Sequence, residues 1–165
     1  MGDISEEDFK LAVQLSVDSL PGISHLYPNQ LELLKMLVKN QNVFMTSPTN
    51  SGKTLPAIIL PLVLRKLNHL GNRNLPVNGK VLFLTALNSI QMSMIASTRA
   101  LNIACESVTS TNVDELVMSN VSILFVGPEV LQKPSVKSAL LRERRRFVLK
   151  VVDEVHLCKI KTKCG

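Results

Sequence analysis

The segment Ser47-Pro-Thr-Asn-Ser-Gly-Lys-Thr54 constrains this chain more than any other stretch. It follows directly on a short apolar run, Val43–Thr46, and leads directly into a helix-length segment, about Lys53–Leu67. Its spacing is that of a phosphate-binding loop, with Ser47 where the first glycine is usual. The placement supplies what the chemistry requires. A strand carries such a loop to the carboxyl edge of a sheet, and the loop N–H groups with the N-terminus of the next helix form a positive nest for phosphate oxygens. Thr49, Asn50, Ser51 and Gly52 are then expected to cradle the phosphates and Lys53 to bridge the last two, while the Thr54 hydroxyl completes a Mg²⁺ shell. The ligand expected is ATP with Mg²⁺. Ser, Gly, Lys and Thr are also ordinary turn and helix-start residues, and the strand-loop-helix setting separates the two readings.

The rest of the chain repeats that alternation. Further short apolar runs, read as strands, fall at Val81–Thr85, Ala104–Val108, Ser122–Val126 and Val148–Val152. Continuous apolar runs without polar alternation belong to strands buried on both faces, as in a parallel sheet covered by helices. Helix-length segments lie between them, about Ile90–Leu101, Asp114–Met118 and Ser135–Arg142. Upstream, Ser5 with Asp8 resembles a capping box ahead of an apolar face of Phe9, Val13, Val17 and Leu20, and Pro21-Gly22 ends that helix. A second helix is expected from about Asn29 to Val38, and His69–Asn78 reads as a loop. The fold class expected is α/β: a P-loop nucleotide-binding domain, its mostly parallel sheet flanked by helices on both faces.

The last of those runs ends in Asp153-Glu-Val-His156. Two adjacent acids at the carboxyl end of a strand need a counter-charge, and a nucleotide-bound Mg²⁺ supplies one. Asp153 would hold the metal, usually through water, and Glu154 would orient and deprotonate an attacking water. His156 would sense the terminal phosphate. Without the phosphate loop the acids read as a solvated strand end and His156 as a satisfied loop histidine.

Composition narrows the class. With 165 residues there is room for one α/β domain. Hydrophobic residues at 45% supply a core and argue against disorder. The apolar stretch Leu55–Leu64 is broken by Pro56 and Pro61 and falls short of the roughly 20 residues a membrane span needs. The acids Asp3, Glu6, Glu7 and Asp8 stand where a secretory leader would carry basic residues, and Glu6 rules out a myristoylation signal on Gly2. Cys105, Cys158 and Cys164 form no CxxC pair and read as reduced thiols of an intracellular protein, nuclear if the source is eukaryotic. The net charge of +6 favours polyanionic partners. The run Arg142–Arg146 reads as a solvated helix end before a strand, with phosphate contact or a localisation signal as the other reading.

Asp153-Glu-Val-His156 resembles the DEAD/DEAH signature of superfamily 2 helicases, and other segments make the chain similar to the RecQ-like DNA helicases among them. Leu26-Tyr-Pro-Asn-Gln30 resembles that family's Phe-Arg-Pro-Gly-Gln motif and keeps its distance from Lys53. The resemblance implies that Gln30 reads the adenine edge; Tyr27 departs from the family's arginine there, with a ring that could stack on the base. Leu84-Thr-Ala-Leu-Asn-Ser-Ile90 with Gln91 resembles a segment that contacts the DNA backbone, so Ala86, Leu87, Asn88 and Gln91 are implied nucleic-acid contacts. Val126-Gly-Pro-Glu-Val-Leu131 resembles another, implicating Gly127, Pro128 and Glu129. Asn50 and Ser51 replace glycines common in the family's loop, Val155 replaces the commoner alanine, and Cys158–Gly165 lacks the aromatic residues the family has there.

The organisation expected is a helical lead-in at 1–25, a RecA-like ATP-binding first lobe at 26–157 and a divergent tail at 158–165. No Ser-Ala-Thr motif and no second RecA-like domain with its arginine finger follow in this sequence. The expectation is therefore ATP binding with little hydrolysis by these residues alone. The partner implied is single-stranded or partly duplex DNA. An RNA helicase or other superfamily 2 ATPase, and a non-catalytic binding module, remain as alternatives.

Overall fold

The computed structural model describes residues 4–43, 52–72 and 74–152. Four apolar runs form one sheet: β1 (Lys80–Leu84), β2 (Cys105–Ser107), β3 (Ile123–Val126) and β4 (Phe147–Val152). Their order across the sheet is β2-β3-β1-β4, and every pairing is parallel. β3 is buried along its whole length, as a central strand covered on both sides must be. The strand expected at Val43–Thr46 lies outside the described residues from Phe44 onward.

Side chains alternate between two cores because successive residues of a strand point to opposite faces. Val81, Phe83, Ile123 and Phe125 enter one core, and Leu82, Leu84, Leu124 and Val126 the other. Phe83 and Phe125, neighbours in register, stack with ring centroids 5.2 Å apart. The first core is covered by α1 (Glu6–Asp18), α2 (Pro28–Val38), α3 (Leu55–His69) and α4 (Asn88–Ala100). The second is covered by α5 (Val113–Met118), α6 (Pro128–Leu131) and α7 (Pro134–Arg142). α1 belongs to the same core as the sheet, through Phe9, Ala12, Val13 and Val17, and packs on α3. Its start is the expected cap, with the Asp8 N–H donating to Ser5 Oγ at 3.0 Å.

The connections explain the order. From β1 the chain crosses by α4 over the first face to β2. It then returns in the other direction by α5, and later by α6 and α7, over the second face to β3 and β4. Reversing both direction and face preserves the hand, so all three crossovers share the one that parallel units require. β1 and β3 are neighbours whose following segments leave toward opposite faces. A crevice therefore opens beyond their carboxyl ends, where open α/β sheets place ligands.

Two local features depart from regular geometry. Pro61 sits inside α3 and leaves the Ala57 carbonyl without its helical donor, which a buried apolar helix tolerates at the cost of some regularity. Between β1 and β4 the register shifts: Lys80 pairs with Phe147 but Val81 with Leu149, so Val148 is an extra residue in β4. It lies over Gly79, where an added Cβ would stand 2.3 Å from Val148 Cγ1. Among the described residues no helix is long and apolar enough to cross a membrane.

Candidate nucleotide and nucleic-acid site

Gly52, Lys53 and Thr54 lead into α3, with the Ile58 N–H donating to the Thr54 carbonyl to begin the helix. Gly52 has φ +66°, in the left-handed region where a side chain is strained. Its carbonyl accepts from the Leu55 N–H at 3.2 Å and from Gln30 Nε2 at 2.9 Å. Lys53 and Thr54 are half-buried at this point. The other loop residues of the sequence reading, Thr49, Asn50 and Ser51, lie outside the described residues, as do Asp153, Glu154 and His156. Val152, which ends β4 at the same carboxyl edge as β1 and β3, is the residue immediately before Asp153.

Gln30 reaches Gly52 because α2 begins at Pro28, which is preset for a first helical turn and needs no amide donor there. Gln30 is third in the helix, and its Oε1 accepts from the Tyr27 N–H at 2.9 Å. One buried amide thus closes the start of α2 and holds the loop before α3. Tyr27 itself is 60% exposed, edge-on to His25 with centroids 5.6 Å apart.

The second part of the site is the crevice beyond β1 and β3. Leu87 and Asn88 are exposed at the start of α4, Ala86 is half-buried behind them, and Gly127, Pro128 and Glu129 begin α6 across the crevice. Gln91 is placed differently. It is buried, with Oε1 3.4 Å from Thr85 Oγ1 and Nε2 donating to Ser107 Oγ at 2.6 Å. A Cβ added at Gly127 would find Gln91 Oε1 as its nearest neighbour, at 4.0 Å. The amide therefore ties the ends of β1 and β2 together beneath the β3 turn. Ser107 is in turn fixed from the far side, its carbonyl accepting from Asn112 Nδ2 at 3.0 Å.

Thr85, Ser107 and Asn112 were not among the residues singled out from the sequence. Their position near strand ends was readable there, but their pairing with Gln91 depends on β2 lying two strands away from β1. The arginine run sits at the other edge of the sheet. Arg142 pairs with Asp114 at 2.6 Å, Arg146 with Glu143 at 2.9 Å, and Arg144 and Arg145 are exposed in a short 3-10 turn before β4.

The sequence model of the DEAD/DEAH box helicases matches residues 27–163, a span that contains both parts of the site. The chain belongs to the DEAD/DEAH box helicase family. A comparison with curated proteins finds no match. As a DEAD/DEAH box domain it is a helicase-type, nucleic-acid-dependent ATPase by family, and its all-parallel sheet between two helical layers is consistent with the RecA-like fold.

Proposed function

We propose that this DEAD/DEAH box domain is the ATP-binding first lobe of a RecQ-like DNA helicase, with ATP and Mg²⁺ as its ligands. The observation that carries the nucleotide half is the bond from Gln30 to Gly52, since it joins an adenine-reading residue to the phosphate loop. A primary amide has two N–H donors and an oxygen with two lone pairs. Gly52 and Tyr27 take one of each, which leaves one donor and one acceptor, the pair that the adenine edge presents in complement. Tyr27, exposed beside it, supplies a flat ring for the base.

Lys53 and the Thr54 hydroxyl are the groups for the terminal phosphates and the metal, with Asp153 as the second metal-holding group and Glu154 as the base for water. When bound, the metal neutralises the charge that develops on the transferred phosphate. Leu87, Asn88 and Glu129 are the exposed groups of the crevice and the ones assigned to the nucleic-acid backbone, with Ala86, Gly127 and Pro128 shaping the approach. The RecQ-like assignment rests on Leu26–Gln30 and Val126–Leu131 of the sequence.

Titration with a fluorescent ATP analogue tests the nucleotide reading. Affinity is expected to fall at least about tenfold in Lys53→Ala, a loss of roughly 1.4 kcal/mol. Equal affinity in that variant would remove the phosphate-loop assignment. ATPase stimulation by single-stranded DNA over RNA of equal length is expected, and the opposite preference would move the chain to the RNA helicases.

A further inference from the structure

At the amino edge of the sheet, away from the crevice, Arg65 and Lys80 border one small cavity that no Asp or Glu among the described residues lines. Lys80 opens β1 and is 2% exposed. Its Nζ donates to the carbonyls of Ser119 and Val121, each at 2.6 Å, which uses two of three protons and leaves the charge unneutralised. Burial and the nearby charge of Arg146 both push the Lys80 ammonium below its ordinary value. Arg146 brings no free carboxylate with it, because Glu143 already accepts from Arg146 and is ion-paired with Arg142.

Arg65, in the second half of α3, reaches the same place, and its Nε is buried with no hydrogen-bond partner among the described residues. Between Arg65 and Lys80 lies a cavity with about 10 Å³ of water-sized space, bordered also by Asn78, Asn120 and Ser122 and by no Asp or Glu. That is space for one oxygen. Buried donors in proteins are satisfied and buried charges are paired. A water would satisfy Arg65 Nε but leave the Lys80 charge uncompensated. An anionic oxygen does both.

We propose that this cavity is a second anion site, taking one oxygen of a phosphate-class oxyanion between Arg65 Nε and Lys80 Nζ, with the remainder of the group in the mouth beside Asn78 and Asn120. Four residue steps lead from Lys80 to the carboxyl end of β1 at Leu84, roughly 13 Å at the rise of a parallel strand. The cavity is therefore separate from the phosphate loop and independent of the nucleotide reading. A free phosphate and a backbone phosphate of a nucleic acid present the same chemistry there.

The test uses the Lys53→Ala protein, so that the phosphate loop does not contribute, and follows the Arg65 Nε–H resonance by ¹⁵N NMR. Inorganic phosphate and an oligothymidylate are titrated separately, with chloride at matched ionic strength as reference. A saturable shift with at least one of them, absent with chloride, is expected, and the one that produces it identifies the source. Lys80→Met, which keeps the observed resonance, should weaken that binding at least about tenfold. Saturating ligand should raise Tm by about 3–6 °C, and Arg65→Gln should abolish the rise. No saturable shift with either ligand, or a Tm rise that survives Arg65→Gln, overturns the proposal.

Discussion

Gln30 donates through Nε2 to the main-chain carbonyl of Gly52 across 2.9 Å, linking the first turn of α2 to the loop that precedes α3. A Cβ at residue 52 would stand 2.6 Å from that nitrogen, at a φ of +66°. Gly52→Ala thus meets both a steric conflict and a left-handed penalty of about 1–2 kcal/mol. It is expected to lower ATP-analogue affinity at least about tenfold. Gln30→Glu separates the two roles of the amide: it keeps an acceptor for the Tyr27 N–H and loses the donor to Gly52. Nucleotide affinity should fall in this variant, and Tm should fall with it, because the new carboxylate is buried against the Gly52 carbonyl. Unchanged affinity in both variants would show that the link does not govern the loop.

Gln91, Thr85 and Ser107 form a buried polar set under the crevice. Gln91→Ala removes the amide and leaves both hydroxyls to find other partners, so a loss of about 1–3 kcal/mol is expected in urea denaturation. Ser107→Ala should cost less alone. The double variant should show coupling of about 0.5–3 kcal/mol between the two. Strict additivity would mean that the pair does not act as a unit.

Lys80 gives a pH signature. Its folded value lies below 10.5, so the unfolded chain holds the proton more tightly. The penalty is fully present below the folded value. Stability should then rise as pH climbs through the folded value and level off above the unfolded one. The difference in urea midpoint between wild type and Lys80→Met should change across that alkaline window and stay flat at neutral pH. Lys80→Met should itself be destabilising near neutrality, by about 1–3 kcal/mol, since the Ser119 and Val121 carbonyls lose their donor. A pH-independent difference would contradict the burial of a charged ammonium.

Cys105 is 2% exposed, its thiol donating to the Ile95 carbonyl at 3.6 Å, and burial pushes its pKa up. Native protein pulsed with an alkylating reagent at neutral pH should leave Cys105 unmodified in peptide maps, with labelling appearing along the urea transition. Rapid labelling without denaturant would show that β2 opens locally.

Much of the sheet was legible because parallel strands are written as uninterrupted apolar runs. Val81–Thr85, Ser122–Val126 and Val148–Val152 differ from the observed strands by a residue or so, and Ala104–Val108 shortens to three residues. Ser5 announced its helix start by local spacing alone. Gln91 shows where such reading stops. On a helix it looks like a solvent-facing amide next to Asn88, and only the crossover that returns β2 beside β3 turns it inward. The Arg65 and Lys80 pair was likewise unreadable, since it joins the end of a helix to the start of a strand across a loop.

Val148 changes how β4 divides its side chains between the two cores. By taking two positions against one on β1, it changes the parity of the strand: Phe147 belongs to the second core, whereas Leu149 and Val151 belong to the first. Deleting that single residue would restore simple alternation from Phe147 onward. Leu149 would then follow Phe147 directly, still opposite Val81, and each later side chain would keep its present face. Gly79, by leaving room for Val148, thus lets β4 carry one extra residue without disturbing the pairing of the four that follow it.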